Sequence, residues 1–256
     1  MTFSSIGDLA RSFQMTRQTG QAKETLTRLT NEVASGRADD AGRHLGGDFS
    51  ELAGIERGLS LLGSYRTATA EASARLSAMQ SVIGHARSVG DDQGSKLLKL
   101  GDLGLPSQID AAGREARAQF DALVHTLNTR TGGRSLLAGA QSDGPALAPP
   151  ETIMSALSAA TAGETTAEGV RAAVEAWFLD PGGGFEAAGY LGAEPAAALR
   201  VSQQETVQID VTAADPALRR TLAGLATGAL LVEGALAGDA AGRAGLATEA
   251  GALLAA

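Results

Sequence analysis

Apolar residues along this chain fall into short groups at helical spacing, separated by stretches rich in glycine, proline and aspartate. Residues 4–33 read as a polar helix carrying two such groups, Ile6, Leu9 and Phe13, then Leu26, Leu29 and Val33. At about 100° per residue the two groups fall on nearly opposite faces, with polar residues 14–21 between them. One helix cannot bury both faces against one neighbour, so the pattern predicts several partners. Residues 34–47 are rich in glycine and aspartate and read as irregular backbone.

A long helix is predicted over 49–89. Leu62, Tyr65, Thr69, Ala72, Leu76, Met79, Ile83 and Ala86 alternate at three and four residues, as in a coiled-coil seam. Gly90, Asp91, Asp92 and Gly94 are expected to end it. A further helix over 106–129 repeats the spacing with Ile109, Ala112, Ala116, Phe120, Leu123 and Leu127. Two helices so joined are expected to pack antiparallel. After the Pro/Gly-rich stretch to Pro150 come two short helices, near 152–160 and 167–179, and then the loop Pro181-Gly182-Gly183-Gly184. Val201 and the alternating run Thr206 to Val211 predict a small hairpin or edge strands. Asp215 and Pro216 open a last helix, expected over 215–256, with Leu218, Leu222, Leu225, Ala229, Val232 and Leu236 along its seam.

The predicted fold is therefore mainly α: a long-helix antiparallel bundle formed by N- and C-terminal segments, with a small α+β inserted domain. The expected divisions are 1–47, an assembly helix and linker; 48–139, the first part of the bundle; 140–213, the insert; and 214–256, the rest of the bundle. Leu76, Met79, Ile83, Phe120, Leu123, Leu222 and Leu225 are its expected core.

Composition sharpens this picture. Alanine and glycine abound, aromatics are 4% of residues, and Trp177 is the single tryptophan. Small side chains let helices approach closely but bury little area each, at about 25 cal/mol per Å². The formal charge of -8 and the lack of a Lys/Arg cluster argue against nucleic-acid binding. The most apolar stretch, 222–232, is too short to span a bilayer, and residues 1–20 lack the apolar core of a cleaved signal peptide. No cysteine is present, and His44, His85 and His125 share no metal-ligand spacing. Ser142 sits in a turn-like sequence, not a nucleophile elbow, and no phosphate-binding loop occurs. No catalytic, metal or cofactor site is expected.

Two segments carry a resemblance. Leu26-Thr27-Arg28-Leu29-Thr30-Asn31-Glu32-Val33-Ala34-Ser35-Gly36-Arg37, followed by Asp39-Asp40-Ala41-Gly42, resembles a shortened copy of the N-terminal signature of the bacterial flagellin family. Gly133-Arg134-Ser135-Leu136-Leu137-Ala138-Gly139-Ala140-Gln141-Ser142-Asp143 is similar to a segment of its hook–filament junction members, with Ser135 and Leu136 in place of an aromatic pair. The return through 206–211 into Asp215-Pro216 is also where the family leaves its variable insert.

The resemblance implies a structural component of the bacterial flagellum that joins hook to filament by helical self-assembly. It implies export through the flagellar type III apparatus to an extracellular location. Its partners would be copies of itself, hook-associated proteins and flagellin, with an export chaperone as a further one. A filament flagellin, or a helical adaptor binding a partner helix, is the alternative. The family ends on a second long helix paired with the N-terminal one, so the chain is expected to stop short of that helix.

Overall fold

A computed structural model describes residues 6–39, 42, 46, 48–103 and 105–256; the side chains of Ile6 and of residues 101–103 fall outside that description. The fold is mainly helical, with two small antiparallel sheets. It divides into two units, 1–63 and 64–256, with the boundary inside one helix.

The first unit holds helix α1 (Ile6–Ser35) and the start of α2 (Ser50–Leu103). In polar α1 the threonines satisfy their hydroxyls on the helix's own backbone: Thr16 donates to the Ser12 carbonyl at 2.9 Å and Thr30 to that of Leu26 at 2.8 Å. Gly36, at φ 67°, ends the helix in a left-handed turn, its N–H donating to the Glu32 carbonyl at 2.8 Å. Glu32 also pairs with Arg28 at 3.0 Å and accepts from the Asp39 N–H at 3.1 Å, so the turn after α1 is fastened from inside the helix.

In the second unit α2 continues, followed by α3 (Pro106–Leu127) and the strands β1 (Arg130–Thr131) and β2 (Arg134–Ser135). Then come α4 (Pro150–Thr161), α5 (Ala167–Leu179), β3 (Leu199–Arg200), β4 (Thr206–Val207), α6 (Pro216–Leu230) and α7 (Ala240–Ala255). A short π-helical turn, Phe185–Gly189, lies between α5 and β3.

The sequence placed a break at Gly90–Gly94, yet α2 runs through it to Leu103. Those glycines serve contact rather than termination. A Cβ at Gly94 would lie 3.0 Å from Leu254 Cβ, and one at Gly90 would lie 3.4 Å from Thr221 Cγ2, so α7 and α6 cross α2 there. Conversely, the expected single C-terminal helix is two. Gly234, Leu236 and Gly238 adopt positive φ of 96°, 53° and 87°, and Asp239 caps α7 by accepting from the Gly242 N–H at 2.9 Å. The chain reverses: Gly224 meets Leu254, Gly228 meets Ala250, and Arg243 donates to the Leu231 carbonyl at 3.0 Å. Falling numbers on one helix against rising numbers on the other make α6 and α7 an antiparallel pair. Val232 and Leu236, expected on the seam, lie in or beside this reversal and are not buried.

Met79, Phe120, Leu123, Leu222 and Leu225 are buried in one cluster. Leu76 and Ile83 are not; Leu76 is 36% exposed and Ile83 half-buried. The line Ala72, Met79, Ala86 and Gln93 does face inward, but Val82 accompanies it where a strict heptad selects Ile83. Arg75 stands inward of Leu76, its Nη2 donating to the Leu136 carbonyl at 3.3 Å. The face is thus turned by one residue on one side of that line, taking Arg75 and Val82 in place of Leu76 and Ile83. Leu76→Ala is accordingly expected to cost less than about 1 kcal/mol in urea unfolding.

The cluster also takes in Val170, Val174 and Phe178 of α5, Ile153 and Leu157 of α4, and Phe185. One core therefore crosses the divisions expected at 139/140 and 213/214. Arg219 of α6 secures the 140–213 segment from beneath: its guanidinium donates to the carbonyls of Phe178 and Asp180, pairs with Glu186 at 3.2 Å and lies 5.2 Å from the Phe185 ring centroid. The expected hairpin over 201–211 reduces to two residue pairs, Leu199 with Val207 and Arg200 with Thr206. A second hairpin, β1–β2, turns on Gly132 and Gly133 at φ 59° and 79°. This hairpin was not expected from the sequence, although a Gly-Gly pair suits a turn with positive φ at both central residues.

Candidate assembly surface

Helix α1 is continuous, so the two apolar groups keep the opposed placement that their spacing dictates. Leu9 is 64% and Phe13 76% exposed on one side; Leu26 is 67%, Leu29 47% and Val33 85% exposed on the other. The Ile6 side chain lies outside the described residues. The described residues therefore cover neither group of described side chains. Arg28 and Glu32, paired beside Leu29, satisfy each other's charge without hiding the apolar face.

A further stripe was missed by reading Leu62 as the start of a buried seam. Ile55, Leu59 and Leu62, at spacings of four and three, are all exposed on the first part of α2. Phe49 and Met15 are exposed as well. The spacing of Ile55, Leu59 and Leu62 was visible in the sequence; what covers it was not. Exposed apolar groups of this density mark contact surfaces more often than they occur idly on monomers.

The segment 133–143 has the opposite character. Leu136, Leu137 and Ala138 are buried, and Gly139 holds φ 64°. Around it the Ala193 N–H donates to the Ala138 carbonyl at 3.0 Å, the Ala140 N–H to that of Glu194 at 2.9 Å, and the Ala213 N–H to that of Leu137 at 2.9 Å. Ser142 accepts from Arg134 Nε at 2.8 Å, while its carbonyl accepts from the Ser135 N–H at 2.7 Å. The centre of this segment, residues 135–139, is a buried strut, while Gly133, Arg134, Ala140, Gln141 and Asp143 are exposed.

The perturbed titrating groups hold helices and loops together. Asp92 and Glu115 hydrogen-bond Lys96, joining α2 to α3 and pushing the Lys96 ammonium up to about 12. The Gly182 N–H and Arg219 hold the Glu186 carboxyl below its ordinary range. Burial raises the Tyr190 phenol, which donates to the Ala193 carbonyl at 2.7 Å. Among the described residues no three His, Cys, Asp or Glu side chains gather as metal ligands would. His85 and His125 are exposed, and His44 lies outside the described residues. No described helix is long and apolar enough to cross a membrane.

No family model, curated protein or solved structure matches the chain.

Proposed function

We propose that this chain is a structural protein of the bacterial flagellum, of the hook–filament junction type, and not an enzyme. The observation that carries the reading is the exposure of both apolar faces of α1, which nothing in the described chain covers. The order of the flagellin-like segments in the sequence supports it. On this reading the chain is exported without a cleaved signal and works outside the cell. There Leu9 and Phe13, with Ile6, and Leu26, Leu29 and Val33 pack against copies of itself and neighbouring axial proteins. Residues 64–256 form an antiparallel helical bundle, with 140–213 inserted between its two parts. An export chaperone would cover α1 before assembly, and no nucleic acid, membrane or cofactor takes part.

Each apolar side chain buried between subunits contributes about 1.5–3 kcal/mol, so three per face suffice to drive association once subunits are concentrated. Leu26→Asp and Leu29→Asp are expected to leave thermal unfolding of the purified chain unchanged, because both positions are exposed. In flagellated cells of the source bacterium the same variants should be exported but missing from sheared flagella. Normal incorporation would sink the assembly role, and unfolding of the isolated chain would show that α1 belongs to the subunit's own core.

A further inference from the structure

Within the second unit a cavity of about 430 Å³ opens between α2 and the two hairpins. Ala72, Leu136, Ala196, Leu199, Val207 and Ile209 make it largely apolar. Two polar residues of its lining are unsatisfied: Arg75 Nε and Ser135 Oγ are buried and without a hydrogen-bond partner, and Ser135 is 1% exposed. Among the described residues the Arg75 charge has no counter-ion either. Glu71 stands one turn away on the same helix and also lines the cavity, yet among the described residues no ion pair joins them. Buried donors are nearly always paired, and an unpaired guanidinium nitrogen in a cavity that an unpaired hydroxyl also lines calls for an acceptor carrying negative charge. The volume lies within the range of small-molecule sites, apolar with a few convergent polar groups.

We propose that this cavity binds a small organic monocarboxylate with an aliphatic body. The carboxylate accepts from Arg75 Nε and the Ser135 hydroxyl, and the hydrocarbon lies on Leu136, Leu199, Val207 and Ile209.

Titration of the full chain with octanoate, followed by amide NMR, tests this. Octanoate should bind saturably, shifting amides around Ala72, Ser135, Leu136 and Val207. Octan-1-ol should bind about tenfold more weakly, the loss of one charge-assisted interaction. Arg75→Gln should erase the preference for octanoate over octan-1-ol. Ala197→Leu, at the exposed edge of the cavity, should weaken octanoate without lowering the melting temperature, which keeps the test decisive if Arg75→Gln folds poorly. Equal affinity for octanoate and octan-1-ol, shifts confined to α1, or no saturation at millimolar ligand would each overturn the proposal.

Discussion

Gly139→Ala is expected to be among the most damaging single substitutions in the chain, although it adds one methyl group. Gly139 holds φ 64°, a region that costs an alanine roughly 1–2 kcal/mol. The added Cβ would also sit well inside contact with the carbonyl oxygens of Ala193 and Glu194 and 3.0 Å from the Ala193 carbonyl carbon. Those are backbone atoms, held by the Ala193-to-Ala138 and Ala140-to-Glu194 hydrogen bonds, so they cannot swing aside. Forced overpacking adds about 1–3 kcal/mol, giving a total of about 2–5 kcal/mol. For a unit of this size that lowers the melting temperature by about 5–20 °C, readable by circular dichroism. Gly144→Ala, at an open position a few residues on, is the control and should be nearly neutral. A Gly139→Ala protein melting within 2 °C of the parent, about 1 kcal/mol, would mean that the strut is not rigid.

The same residues show where sequence reasoning reached and where it stopped. Leu136-Leu137-Ala138-Gly139 stood out in the sequence, but as a family-like segment. That it is a buried strut follows from the partners at 193, 194 and 213, more than fifty and more than seventy residues on, which no local pattern reports. The helices α1, α3, α4 and α5 were legible because each has periodic apolar positions flanked by turn residues or an N-terminal proline. Phe120, Leu123, Leu222 and Leu225 were legible as core for the same reason. The rotation of α2 was not, because Arg75 faces inward by way of one backbone hydrogen bond and a charge hides an inward position from any hydropathy count. Nor was the reversal at residues 231–239, where leucine and valine continue the apolar spacing while Gly234 and Gly238 turn the chain. The unsatisfied donors beside the cavity leave no trace in sequence at all, since they arise from what α2 and the hairpins fail to supply one another.

The exposed faces of α1 and the stripe Ile55, Leu59 and Leu62 belong to the first unit, whereas the large buried cluster begins at Met79. On the proposed assembly role, this division separates two jobs in energetic terms. Polar substitutions among the exposed residues remove little from the chain's own stability, so they report on association alone. Substitutions in the cluster report on folding first and on association only through it. A variant series that mixed the two would confuse a loss of subunits with a loss of assembly.

Glycine, a poor helix former, is frequent inside these helices, and its two uses predict opposite responses to substitution. Gly94 and Gly251 face each other where α2 and α7 cross. A Cβ on Gly251 would stand 2.7 Å from Leu98 Cγ, 2.8 Å from the Leu98 nitrogen and 3.0 Å from the Gly94 carbonyl oxygen. Two of those three atoms are backbone, so relief requires the helices to part. Separation would reach Leu97, Ala247 and Ala250, all fully buried. Gly251→Leu is therefore expected to destabilise the second unit by about 3 kcal/mol or more, a fall in melting temperature of at least about 6 °C. Gly84 lies in the same helix α2 with nothing within 4 Å of its would-be Cβ. There only the conformational freedom of the unfolded glycine matters, and Gly84→Ala should stabilise by about 0.5–1 kcal/mol. Urea unfolding of the two variants side by side measures both signs on one structure. If Gly251→Leu proved neutral, α2 and α7 would not be in contact at that crossing, and the close approach inferred from the small residues would be wrong.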